Sequence, residues 1–174
     1  MEKWDLLDNK RNLTGKFIYR GEEIPEGYYH QVIHVCIFNK NGELLIQKRH
    51  PNKNKWPSLW DLSCGGAVVF GEDSNGAASR ELFEELGLSH DFSKDKFLMT
   101  ITYEKGFDDY YCLLVDKMDL EKLSLQEEEV VDVAWASLSQ IKNMIERGDF
   151  VPYSEELISL IFLLKDKKSY IRTK

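Results

Sequence analysis

Two apolar runs, 31–38 (Gln-Val-Ile-His-Val-Cys-Ile-Phe) and 43–48 (Glu-Leu-Leu-Ile-Gln-Lys), flank Asn39-Lys40-Asn41-Gly42. Short apolar runs on either side of an Asn-Gly predict a β-hairpin, because that dipeptide accepts the positive φ angles a tight turn requires. Residues 50–59 hold Pro51 and Pro57 among several Lys and Asn, a loop signature, and Trp60-Asp61-Leu62-Ser63-Cys64 resumes as a short strand running into Gly65-Gly66. Apolar runs at 97–103, 110–115 and 130–135 predict three more strands. A helix is expected from Ser137 to Glu146, stopped by Gly148. A C-terminal amphipathic helix is expected over 153–168, where Leu157, Ile158, Leu160, Ile161 and Leu164 recur at helical spacing behind Pro152 and the N-cap Ser154. The first 28 residues are patterned more weakly, with a strand at Lys16–Tyr19 and a turn at Arg20–Glu23.

The most informative segment runs from Ser74, read as an N-cap, to Gly87, read as the left-handed residue that ends a helix. At about 100° per residue, Arg80, Glu81, Glu84 and Glu85 fall on one side, and Ala78, Leu82, Phe83 and Leu86 fall on the other. The apolar side is expected to dock and the acidic side to face a cleft. Three carboxylates on one turn repel each other by a few tenths of a kcal/mol per pair, and a hard divalent cation removes that repulsion. Magnesium prefers oxygen ligands and is commonly held by a few carboxylates together with substrate phosphates, so this face suits it.

Composition narrows the function classes. A chain of 174 residues, 43% hydrophobic, is long enough for one sizeable core, and no repeat, low-complexity tract or linker divides it, so 1–174 is read as a single domain with 1–28 as an N-terminal extension. No run of about 18 apolar residues exists to cross a membrane, and the start Met1-Glu2-Lys3-Trp4-Asp5 lacks the pattern of a secretory signal, so a soluble cytoplasmic protein is expected. Cys36, Cys64 and Cys112 are far apart and set among apolar neighbours, which reads as buried free thiols. The net charge of −7, from 23 basic and 30 acidic residues, disfavours nucleic acid as a partner. It would also repel a phosphorylated small molecule unless positive charge is supplied locally, as a bound divalent metal would do.

The stretch Gly66-Ala67-Val68-Val69-Phe70-Gly71-Glu72, followed after seven residues by Arg80-Glu81-Leu82-Phe83-Glu84-Glu85-Leu86-Gly87-Leu88, resembles the Nudix box at every specified position. Seven fixed residue types at average usage agree by chance at one starting point with a probability of roughly 10⁻⁸. The resemblance extends over about 30–147, through Trp56–Asp61 and Val130–Trp135. It implies an α/β fold, an α/β/α sandwich with a mixed sheet and a strand-loop-helix over 66–88, and hydrolysis of a diphosphate attached to another group. It further implies that Glu81, Glu84 and Glu85 bind Mg²⁺ or Mn²⁺ and that the Gly65 carbonyl adds an oxygen. Glu72 and Arg80 would pair to orient the helix, and Glu84 or Glu81 would take a proton from water. Among Gln126-Glu127-Glu128-Glu129, where many family members bring in another acidic residue, Glu129 is the choice. Lys48, Arg49, Lys53 and Lys55 are the nearby sources of positive charge; Tyr103, Phe107, Tyr110 and Tyr111 are read as core, and no residue is assigned to substrate binding.

The chain from Tyr29 to Trp60 is also similar to the isopentenyl-diphosphate isomerase branch, through His30, Ile37-Phe38-Asn39, Gln47-Lys48-Arg49 and Lys55-Trp56-Pro57. In that branch a cysteine before the box and a histidine two residues later act on an alkene. Aligned without gaps, those positions fall on Gly65 and Ala67, and the stretch expected to supply a glutamate reads Asp108-Asp109-Tyr110-Tyr111-Cys112. Isomerisation then lacks its proton donor and acceptor, whereas hydrolysis needs only the acidic face. His30 and His34 default to structural roles. A non-catalytic ligand-binding sensor is the remaining alternative, and oligomeric state is left open, with a homodimer among the options.

Overall fold

The structure, a computed structural model, describes residues 1–166. An N-terminal antiparallel pair, β1 (Lys3–Leu7) and β2 (Leu13–Tyr19), precedes the main sheet. β2 contains the expected Lys16–Tyr19 strand, whereas β1 is not evident from its short, charge-interrupted sequence. The main sheet contains β3 (His30–Asn39), β4 (Leu44–Arg49), β5 (Trp60–Asp61), β6 (Cys64–Ala67), β7 (Met99–Tyr103), β8 (Gly106–Val115) and β9 (Val130–Ala136). Its order is β5-β4-β3-β8-β7, with β6 added to β3 and β9 to β4. β3 and β8 are parallel and the other pairs antiparallel, the mixed sheet expected.

Among the described residues, three α-helices cover this sheet: α1 (Ser74–Leu86) on one face, α2 (Leu138–Arg147) and α3 (Glu155–Leu164) on the other. Alternation along β3 feeds both cores. Ile33, Val35 and Ile37 pack with Leu45, Ala78, Leu82 and Leu86 beneath α1, whereas Cys36 and Phe38 pack with Ile46, Ile141, Ile158 and Ile161 beneath α2 and α3. A strand buried on both sides needs apolar residues at nearly every position, which explains the unbroken apolar run. Cys36, Cys64 and Cys112 are all buried, as expected. Ser154 caps α3 by accepting from Leu157 N at 3.2 Å, and the helix ends at Leu164; the last part of the expected segment, 167–168, lies outside the described residues. Among the described residues, no helix is long and apolar enough to cross a membrane.

The expected strand over 60–64 is two strands, because β5 pairs with β4 while β6 pairs with β3. β3 and β4 pair at Phe38 and Leu44 and then diverge, forming a fork. Ser63 fills the gap: its Oγ accepts from Ile37 N at 2.9 Å and donates to Leu45 O at 2.6 Å. One hydroxyl thus satisfies a backbone group on each diverging strand, both of which would otherwise be buried without partners.

The start of α1 also differs from expectation. Asp73, in extended backbone, is the N-cap and accepts from Gly76 N at 2.8 Å, while Ser74 is the first helical residue and donates its hydroxyl to Asp109 at 2.8 Å. Buried Asp109 also accepts from Arg11, Gln31 and Thr100, each at 2.5 Å, tying the N-terminal segment, β3 and β7 to the beginning of α1. The other end matches the sequence: Gly87 has φ 68° and donates to Phe83 O at 2.9 Å.

Candidate active site

The acidic turn of α1 faces the mouth of the β3–β4 fork, but its two sides are divided differently from the expected partition. Phe83 is 61% exposed and Glu85 only 6%. Measured from Leu82 at the centre of the docking face, Phe83 is rotated about 100° one way and Glu85 about 60° the other, so helical geometry carries the carboxylate inward and the phenyl ring outward. Polarity alone misassigns both residues.

Arg80 organises the turn. Its Nε and one terminal nitrogen contact the two Glu72 oxygens at 3.1 and 3.0 Å, and the same terminal nitrogen donates to Ala67 O at 3.1 Å. The other terminal nitrogen contacts Glu81 Oε1 at 2.7 Å and Glu84 Oε2 at 3.0 Å. The guanidinium therefore joins the loop of the box to its helix through charge-assisted bonds. A Cβ on Gly66 would push the Glu81 carboxylate away from the position in which Arg80 holds it. The loop is clasped from outside by the N-terminal pair: Phe70 N donates to Lys3 O at 2.9 Å, and Gly71 N to Asp5 Oδ2 at 2.7 Å.

Glu85 lies deepest. Gln47 Nε2 from β4 donates to its Oε2 at 2.8 Å, and Gly65 N from β6 approaches the same oxygen at 3.4 Å. Burial pushes its carboxyl up to about 8, with Glu81 adding to the rise and Gln47 opposing it. Burial also raises Glu81, against the pull of Arg80. Glu84 is 46% exposed and stands at the rim.

Each of the three carboxylates has one oxygen engaged and one, Oε2 of Glu81, Oε1 of Glu84 and Oε1 of Glu85, without a hydrogen bond among the described residues. None of these three is sealed away from solvent. Among the described residues, no group of three or more acidic, histidine or cysteine side chains is drawn together as a closed ligand cluster; Arg80 holds Glu81 and Glu84 towards itself. Open carboxylate oxygens on desolvated Glu81 and Glu85, which repel each other, and on Glu84 at the rim fit a hard divalent cation, which would offset the charge that burial disfavours.

The loop that precedes β9 is anchored to the helix by Gln126 N donating to Glu85 O at 3.2 Å. Glu127 and Glu128 are exposed, whereas Glu129 is partly buried and paired with Lys53. Lys53 is lowered by burial and by Arg49, with Glu85 and Glu81 opposing, so it belongs to the electrostatic surroundings of the acidic turn. Arg49 is held by Asp61 at 2.9 Å. Tyr110, Tyr111 and Phe107 are core as expected, but Tyr103 is exposed. Gln47 was not singled out from sequence; a lone amide ending the apolar run Leu44-Leu45-Ile46 is the signal that could have found it.

The position aligned with the isomerase cysteine is closed to a side chain. A Cβ on Gly65 would lie 2.7 Å from Ile33 O and 2.9 Å from His34 Nδ1. Cys64 is no substitute, because its thiol is buried beneath α1 and raised well above its ordinary value by burial and by Glu85.

Residues 28–160 match the NUDIX domain model, and the chain belongs to the Nudix hydrolase family. It is 45% identical over 166 residues to the Nudix hydrolase lmo0368 of Listeria monocytogenes, covering 95% of this chain and 96% of that protein. A more distant relative is isopentenyl-diphosphate Delta-isomerase 2 of Photorhabdus laumondii, 28% identical over 83% of this chain and 80% of its own. The fold is similar to the crystal structure of DR0079 from Deinococcus radiodurans, with a TM-score of 0.74 and 25% identity over 91% of this chain and 98% of the other.

Proposed function

We propose that this chain hydrolyses the diphosphate linkage of a small X-linked diphosphate by attack of water on phosphorus, with Mg²⁺ or Mn²⁺ as cofactor. The observation that carries this reading is the acidic turn at the fork, where Glu81, Glu84 and Glu85 each keep an open oxygen and Glu85 meets Gly65. These three carboxylates and the Gly65 carbonyl would hold the cation. When bound, the cation screens phosphate charge and makes water acidic enough to ionise near neutral pH. Arg80 fixes Glu81 and Glu84 relative to Glu72 and the Ala67 carbonyl, so the carboxylates meet substrate in a preset arrangement. Glu84, the most exposed of the three, accepts the proton of the attacking water, with Glu81 as the alternative acceptor. Gln47 and Gly65 N orient Glu85, and Lys53, held by Glu129, adds positive charge at the rim.

Isomerisation is disfavoured by the crowding at Gly65, which leaves no room for a thiol at the reacting position. The test is phosphate release from a panel of nucleoside diphosphate derivatives and simple alkyl diphosphates with Mg²⁺ or Mn²⁺, beside incubation with isopentenyl diphosphate. Turnover that falls by about two or more orders of magnitude in a normally folded Glu84→Gln variant is expected. Production of dimethylallyl diphosphate, or tight binding of one compound with no turnover of any, would overturn the reading.

A further inference from the structure

The crest of the box loop, 69–72, is a tight turn in which Gly71 has φ 79°. Glu72 N donates back to Val69 O at 3.0 Å, and the two N–H groups between them donate to β1 instead: Phe70 N to Lys3 O at 2.9 Å and Gly71 N to Asp5 Oδ2 at 2.7 Å. The second of these is a charge-assisted bond, stronger than one between neutral groups. The Phe70 ring also meets Phe17 of β2 edge-on at 5.6 Å, and Lys3 Nζ lies over both rings, 4.4 Å from the centre of Phe17 and 5.6 Å from that of Phe70.

The hairpin that makes these contacts is itself anchored elsewhere. Leu7 and Tyr29 exchange backbone bonds at 2.8 and 3.0 Å, Trp4 stacks on His30 with centroids 4.8 Å apart, and Leu6, Leu7 and Ile18 are buried. Its turn reaches the far end of the loop as well. Arg11, at φ 67° in the left-handed region that disfavours a side chain, donates to Asp109 at 2.5 Å, and Asp109 accepts from Ser74 at the start of α1. A residue kept in a costly conformation points to a side chain needed where it stands. The loop is therefore gripped on both sides of Glu72, whose two oxygens meet Arg80 at 3.1 and 3.0 Å. Arg80 in turn holds Glu81 and Glu84.

We infer that Asp5 is a positioning residue of the acidic turn, acting from outside the residues 28–160 that match the NUDIX domain model. Through Gly71 it fixes Glu72, and through Glu72 and Arg80 it fixes the arrangement in which Glu81 and Glu84 receive the cation. Groups behind the ligands orient a metal site, and losing one weakens the site because carboxylates that drift must be gathered again on binding. This role rests on the metal-dependent hydrolase reading above. The hairpin stays seated through Leu7, Trp4 and its buried apolar residues when the Asp5 carboxylate is removed, so the brace and the fold are separable.

Hydrogen exchange in the metal-free protein, followed by NMR, tests the chain of contacts without metal or turnover. In Asp5→Ala, exchange at the Gly71 amide and at Arg80 Nε–H should both quicken about tenfold or more, while the Leu7 and Tyr29 amides keep their rates. Calorimetry should then show Mn²⁺ bound about tenfold more weakly, and phosphate release should show kcat about tenfold lower at nearly constant KM. Asp5→Asn lacks the charge but keeps an acceptor oxygen, so its recovery of most of each loss separates position from simple attraction of the cation. Thermal unfolding checks that each variant is folded; if the alanine variant is not, Asp5→Ser, whose side chain is one atom shorter, makes the same comparison. Faster exchange at Gly71 with Arg80 unaltered, unchanged Mn²⁺ affinity, or an asparagine variant no better than alanine would overturn the inference. Coupled exchange and weakened Mn²⁺ binding, with no diphosphate turned over by the parent, would uphold the role of Asp5 and overturn the hydrolase reading; a parent that binds no Mn²⁺ would overturn both.

Discussion

Gln47 Nε2 donates to Glu85 Oε2 at 2.8 Å, joining a strand on one side of the fork to the acidic turn of α1. The amide gives the buried carboxylate a donor while leaving its second oxygen open. A hydrocarbon in place of Gln47 would remove this side-chain bond and leave Glu85 with the longer contact from Gly65 N. Gln47→Leu should therefore lower both stability, by about 1–3 kcal/mol near neutral pH, and turnover. Urea denaturation and phosphate release measure the two effects, and a variant equal to the parent in both would remove Gln47 from the site.

The position of Glu85 also makes stability depend on pH. Its carboxyl rises from an ordinary value of 4.5 to about 8 on folding. Between those values the folded chain retains a proton that the unfolded chain has lost, so the contribution is fully present below about pH 4.5 and disappears as pH rises through 8. The metal-free protein should lose a few kcal/mol over this interval, given about 1.4 kcal/mol per pKa unit. Glu85→Gln should flatten the profile, and Mg²⁺ should stabilise the parent more at pH 8 than at pH 5. Urea titrations in chelator across pH 5 to 9 provide the comparison; coincident slopes for parent and variant would contradict it.

These effects bear on what the sequence could reveal. The spacing of Arg80, Glu81 and Glu84 places them on neighbouring turns whatever surrounds the helix, and Gly87 ends it through its own backbone preference. A sort by polarity puts Phe83 and Glu85 on the wrong sides, because helical angle and polarity disagree where a site buries a carboxylate. The Gln47–Glu85 bond spans 38 residues, and the bonds of Asp109 reach as far as Arg11, 98 residues away. Such pairings leave no periodic signature. Ser63 was hidden for a related reason: the break between β5 and β6 is set by strands paired elsewhere in the chain, not by any local breaker residue.

Ser63 makes that break testable. Ser63→Ala would leave Ile37 N and Leu45 O without the hydroxyl that bridges them at 2.9 and 2.6 Å. The expected loss is about 2–4 kcal/mol, since two buried backbone groups lose their partner together and no water can easily replace a side chain in a filled core. Ser63→Thr should recover little, because its extra methyl has to fit in a fully buried position. Chemical denaturation measures both, and an alanine variant as stable as the parent would mean that the fork closes by another route.

Arg80 distinguishes a charge effect from a geometric one. Its guanidinium contacts Glu72, Glu81, Glu84 and the Ala67 carbonyl at once, a span that a single ammonium cannot reproduce. Arg80→Ala should reduce turnover by about two orders of magnitude and stability by about 2 kcal/mol, because it frees the box loop from the helix and leaves Glu72 and Glu81 without their cation. Arg80→Lys keeps the charge and should restore much of the stability while leaving turnover well below that of the parent, since the carboxylates are no longer held in one arrangement. Thermal unfolding and phosphate release, read together across the two variants, separate the roles. Full recovery of turnover by lysine would show that Arg80 acts by charge alone, and unchanged unfolding in Arg80→Ala would show that its bonds to Glu72 do not hold the loop.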